Sequence, residues 1–139
     1  MNLTTFLIAA GVFVSWGLGT FIAKLAANRI GSQSLFWDAI GATFVILIYS
    51  LIMFKIKHLI QADRPGVGLA LLAGSVGAFG SIGFYILVTR TEVSTVSPLT
   101  ALYPALTVIL AIIFLRESVT PAKLIGIILS LIAIYLLSK

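Results

Sequence analysis

The chain has 139 residues, 60% of them hydrophobic and 9% charged, with a formal charge of +5 and a mean hydropathy of +1.20. So little charge on so apolar a chain excludes a soluble domain and indicates an integral membrane protein. With no cysteine, disulfides, thiolate nucleophiles and Cys-ligated metals are excluded; the single histidine, His58, sits in a charged connector, where a His-built metal site is not expected, and no basic stripe with interleaved aromatics offers itself to nucleic acid.

Five apolar segments are predicted as helices at about 3–27, 34–54, 66–89, 94–115 and 120–138. The breaks between them read NRIGSQS, KIKHLIQADRPG, RTEVS and RESVTP. A helix of about 20 residues crosses a hydrocarbon core of about 30 Å. The breaks leave no room for a soluble domain, and strict apolar/polar alternation, the mark of a membrane β-barrel, is missing. The expected fold class is therefore all-α integral membrane, with five transmembrane helices in a single domain, 1–139.

The first segment has no Lys or Arg ahead of its apolar run, which continues uncharged to Ala23. It reads as a retained span rather than a signal peptide. Gly11, Ser15, Gly19, Ala23 and Ala27 follow at four-residue spacing and form a small-residue stripe, the surface on which helices pack closely in lipid. Trp16 sits mid-span, away from the headgroup belts where Trp is enriched. It reads either as packing or, with Thr20, as an aromatic and hydroxyl wall of a cavity. Lys24 lies about one turn before the end of this helix.

The second segment starts at Ser34, carries Phe36 and Trp37 as an interface anchor, and places Asp38 about one turn in. Because the connector is short, Asp38 and Lys24 lie on the same side at similar depth. An ionisable residue inside a span is a functional candidate by default. Two readings stand side by side. In one, Asp38 and Lys24 form an ion pair, with Asp38 favoured by its helix N-terminus and Lys24 snorkelling. In the other, Asp38 is a proton- or cation-coupling carboxylate. The following connector, with Lys55, Lys57 and His58, reads as a solvated face against lipid headgroups.

The third segment opens at Asp63-Arg64-Pro65 and contains AGSVGAFGSIG, residues 73–83, of which eight of eleven are Gly, Ala or Ser. Gly77 and Gly80 there mark either close packing or backbone bordering a moving cavity. The fourth, VSPLTALYPALTVILAIIFL, carries Pro98 and Pro104. A proline removes a backbone donor and clashes with the preceding turn; in a membrane such a backbone is tolerated against protein or a water-filled cavity. Ser94, Ser97, Thr100, Tyr103 and Thr107 recur at spacings of three, three, three and four. Ser97, Thr100, Tyr103 and Thr107 are cavity-wall candidates, with the prolines as hinge points. The alternative is that the hydroxyls bond to the preceding turn or to neighbouring helices. In the fifth, Thr120 is a candidate N-cap with Pro121 at the first helical position. Ala122, Gly126 and Ser130 form a second small-residue stripe.

With the N-terminus inside, the inner side holds Lys55, Lys57, Arg64, Arg116 and Lys123, and the outer side Lys24, Arg29, Arg90 and Lys139: five against four. The positive-inside rule acts through this difference. Its near absence allows insertion in both orientations as well as N-in alone.

SPLTALYPALTVILAIIFLRESVTPAKLIGIILSLIAIYLL resembles the C-terminal half of an EamA domain, the unit of the drug/metabolite transporter superfamily. The shared features are the proline-interrupted fourth helix, the Leu115-Arg116-Glu117 ending, Thr120 with Lys123, and Gly126. SWGLGTFIAKLA is similar to the family's Trp-Gly first helix, so the resemblance spans essentially the whole chain. In the second helix FWDAIG supplies Asp38 where the family often has an Arg. Typical members carry two such units related by inversion; this chain is similar to the short bacterial and archaeal branch with one. The resemblance implies one half of an inverted-repeat transporter and a central cavity between halves, with Gly126 and Ser130 at the contact.

The expectation is a membrane transporter of small metabolites or drug-like solutes. It would work by alternating access as an antiparallel homodimer in the plasma (inner) membrane of a bacterium or archaeon. The alternatives are a half-transporter or lipid-flippase subunit paired with a different protein, and a non-transporting scaffold. No nucleophile–base pair marks an enzyme. No cofactor, catalytic residue or metal is expected; the partners are membrane lipids, a small-molecule substrate and a second copy.

Overall fold

The structure, a computed structural model, describes residues 2–54 and 62–137. Lys55, Lys57, His58 and Lys139 lie outside the described residues. Six α-helices follow one another, with no strand among the described residues: α1 Leu3–Ile30, α2 Ser34–Met53, α3 Arg64–Arg90, α4 Val93–Thr100, α5 Tyr103–Leu115 and α6 Pro121–Leu137.

Each helix start and stop has a local cause. Asn2 caps α1: its side-chain oxygen accepts from the Thr5 amide at 2.8 Å and the Thr5 hydroxyl at 2.6 Å, satisfying an end donor that lacks an intrahelical partner. The helix stops at Gly31, which takes φ 59°, ψ −142° and gives its N–H to the Ala27 carbonyl. Glycine adopts that conformation without a Cβ penalty. A single 3-10 turn, Gly31–Gln33, leads straight into α2, and the Ser34 hydroxyl donates to the Gly31 carbonyl at 2.6 Å. At the head of α3, Asp63 accepts the Gly66 amide on its carboxylate at 2.9 Å and the Val67 amide on its carbonyl at 2.9 Å.

The fourth predicted span is two helices. Pro98 lies inside α4, and Pro104 is the second residue of α5, where no intrahelical donor is required. Between them the bonding pattern shortens. Ala101 N–H reaches Ser97 and Leu102 N–H reaches Leu99, while Ala105 N–H starts the next helix on Leu102. The span thus parts at Ala101–Leu102, between the two prolines, and does not run on as one helix. At the other end of α5, Arg116 sits in the left-handed region at φ 54°, ψ 35°, and the Glu117 N–H returns to Ala111 at 3.4 Å. The Arg116 N–H reaches the same Ala111 carbonyl, so two successive amides close the helix on one acceptor.

The stretches Leu3–Met53, Arg64–Arg90 and Val93–Leu115 are long and apolar enough to cross a membrane. The first comprises α1 and α2 and the turn between them. The apolar part of α6, Leu124–Leu137, is shorter. Large apolar side chains such as Phe13 and Phe79, 78% and 75% exposed, suit a lipid solvent.

The chain divides into two compact units, one up to Thr89 and one from Arg90. In the first, α1 and α2 meet beside their turn. Its buried residues are Ala23, Ala27, Ser34, Tyr85 and Val88; they come from the last part of α1, the first residue of α2 and the last part of α3. Of the small-residue stripe on α1, only Ala23 and Ala27 are buried. In the second unit α4 packs against α6.

Candidate functional site

The end of α3 organises the first unit. The last four carbonyls of a helix have no intrahelical donor and carry the negative end of its dipole. Val88 is third from the end of α3, and its carbonyl receives the Lys24 ammonium at 2.7 Å. Lys24 reaches it from α1 and so caps a neighbouring helix. A hydrogen bond involving a charged group contributes about 1.5–3 kcal/mol.

One turn earlier on the same face of α3, the Tyr85 hydroxyl donates to the Asp38 carboxylate. Asp38 is the fifth residue of α2, near the positive end of that helix. Tyr85 is 4% exposed, while Asp38 is among the exposed residues. The hydroxyl therefore comes to the carboxylate from the protein side. An ionised carboxylate has about four acceptor positions, so Tyr85 orients the group without saturating it. Such a group is able to take a proton or a cation on its open side.

The structure gathers Lys24 and Asp38 at the same end of the first unit, with Tyr85 and Val88 between them on α3. Sequence reasoning missed both α3 residues. The available signal was depth: Tyr85 lies near the end of the third span, as Lys24 lies near the end of the first and Asp38 near the start of the second.

The hydroxyls turn back onto their own helices. Thr20 donates to the Trp16 carbonyl at 2.8 Å, and Thr100 to Val96 at 2.9 Å and to Ser97 at 3.1 Å. Thr107 donates to Tyr103 at 3.1 Å, and Ser130 to Ile127 at 2.8 Å. These are the local bonds that hydroxyls make when water is scarce. Trp16 and Tyr103 are 64% and 54% exposed. Gly77 and Gly80 border open space: a Cβ built on either meets nothing within 4 Å. The same holds for Gly126, which with Ser130 lines a groove of about 310 Å³ in the second unit, walled by Val108, Ile112 and Val119 and polar at Glu117.

An all-helical chain with exposed apolar helices, in which the charges of Lys24 and Asp38 each meet a partner on α3, is an integral membrane protein. It belongs to the EamA-like transporter family, whose sequence model matches residues 3–139. It is 34% identical over 136 residues to an uncharacterized protein of Methanocaldococcus jannaschii, covering 97% of this chain and 96% of that one. It is 32% identical over 135 residues to an uncharacterized transporter of Bacillus subtilis, YvbV, covering 95% of this chain and 44% of that one. This chain thus spans less than half of the Bacillus protein. No solved structure matches it.

Proposed function

We propose that the protein carries small metabolites or drug-like solutes across the plasma (inner) membrane of a prokaryote, by alternating access, as an antiparallel pair of identical chains. The observation that carries this reading is the match of nearly the whole chain to less than half of the Bacillus transporter. That protein has length for two such units, and the archaeal relative, matched over 96% of its length, has length for one. A pair of single units supplies what one two-unit chain holds covalently, with the solute site near the midplane between copies. The charge count of five against four supports two orientations from one sequence.

A reporter fused after Lys139 tests it. The expected result is comparable signal from both sides of the membrane. Replacing Lys55 and Lys57 with Gln lowers the inner count of the N-in form from five to three, against four outside, and drives N-out insertion. Two Lys added near Asn2 drive N-in insertion. Either change alone lowers uptake by cells, and co-expression of the two restores it. A wild-type reporter on one side only overturns the antiparallel homodimer and leaves a parallel oligomer or a pair with a different protein as the working unit.

A further inference from the structure

Burial in the first unit collects at one end. Ala23, Ala27, Ser34, Tyr85 and Val88 are buried, while Phe13, Trp16, Val45 and Phe79, toward the middle of their helices, are largely exposed. The two polar links lie at this same closed end: Lys24 to the Val88 carbonyl joins α1 to α3, and Tyr85 to Asp38 joins α3 to α2. The turn Gly31–Gln33 joins α1 to α2 beside them, with Ser34 only 2% exposed. Every pair among the three helices is thus tied at one end. The cost of leaving any of these polar groups without a partner away from water makes the ties close together or not at all.

We infer that Tyr85 is a positioning residue that, with Lys24, clasps the first three helices shut at one membrane face, and that this clasp opens and closes during transport. The inference rests on the alternating-access reading and adds its gate. Tyr85 holds Asp38 in place when the clasp is shut. A cationic group that draws the charged Asp38 carboxylate toward its exposed side takes it away from Tyr85. Lys24 loses the alignment that keeps it on Val88, and Ser34 meets water.

The test needs no knowledge of the solute. The chain has no cysteine, so Ser34→Cys places one thiol at the closed end. Its rate of labelling by a water-soluble maleimide is measured in permeabilised membranes. With the clasp intact, labelling is slow. Tyr85→Phe removes only the hydroxyl and is expected to raise the rate at least tenfold. Lys24→Met is expected to raise it similarly, and the combined variant no further than either alone, because the links act as one unit. Asp38→Asn keeps an acceptor oxygen for Tyr85 and is expected to stay near the parent rate. A thiol placed at Phe79, already exposed, reports general loosening: its rate stays constant if the clasp alone is released. An unchanged Ser34→Cys rate in Tyr85→Phe overturns the inference, and so does a parallel rise at Phe79→Cys. Failure of the two-orientation reporter, with these labelling changes present, overturns the antiparallel pair and leaves the clasp standing.

Discussion

Ser34 donates its hydroxyl to the Gly31 carbonyl at 2.6 Å, across the turn that ends one membrane span and begins the next. Gly31 holds φ 59° and ψ −142° there, a region essentially closed to residues with a Cβ. A Cβ at this position meets no neighbour, so the penalty of a substitution is conformational and not steric crowding by other residues. Gly31→Ala is expected to cost about 1–3 kcal/mol. Thermal melting in detergent checks it, with Gly19→Ala, in helical backbone and open space, as the control that melts at or above the parent temperature.

Asp38 and Tyr85 form one bonded pair, and the stability of variants should show it. Asp38→Leu strands the Tyr85 hydroxyl and is expected to cost about 1–3 kcal/mol. Adding Tyr85→Phe removes the stranded group, and most of the loss should return, since replacing both partners of a hydrogen bond by apolar groups is nearly neutral. A double-mutant cycle on melting temperature reads the coupling. If Lys24→Met rescues Asp38→Leu better than Tyr85→Phe does, Asp38 depends on Lys24 first, and the ion-pair reading takes precedence.

The two prolines of the fourth span should behave differently. Pro104 occupies the second position of α5, where an amide has no partner to find, so Pro104→Ala is expected to change stability by no more than about 0.5 kcal/mol. Pro98 lies inside α4. An amide restored there finds the Ser94 carbonyl, and Pro98→Ala is expected to stabilise by up to about 3 kcal/mol. Uptake should fall in the same variant if the break at Ala101–Leu102 moves. Equal effects at the two positions contradict this division of labour.

Gly126 lines the groove of the second unit and its Cβ direction is open. Gly126→Leu therefore has room within one chain, and melting of the detergent-solubilised monomer should change by less than about 0.5 kcal/mol. If the groove receives a second copy, as small-residue surfaces in lipid do, self-association should fall several-fold. Disulfide yield in membranes from a single Ser130→Cys measures it. Unchanged yield removes this stripe from the interface.

The class of fold was legible because composition decides it: a chain this apolar, cut by short polar breaks, has no soluble alternative. The family was legible in SWGLGTFIAKLA and LRESVTP, local runs whose order along the chain is specific. Contacts across the fold were harder to read. In water, an apolar stripe tells which face of a helix points inward. In lipid both faces are apolar; the depth of Tyr85 near the end of its span was a signal, but it does not say that the side chain turns to Asp38. The prolines announced that donors were missing but not that the helix would part at Ala101–Leu102. The position of Arg116 in left-handed backbone was equally hidden, since the usual signal for that conformation is Gly.

The three-residue link Gly31–Gln33 also bears on how the protein is made. A connection so short lets neither α1 nor α2 settle in the bilayer independently of the other. They leave the insertion machinery as one object, with Lys24 and Arg29 committed to whichever compartment receives the turn. The choice of orientation is then made once, for both spans together, and a mixed population contains two mirror topologies with few intermediates. Lengthening the link by a polar insert would uncouple the two insertions and fill in the forms between.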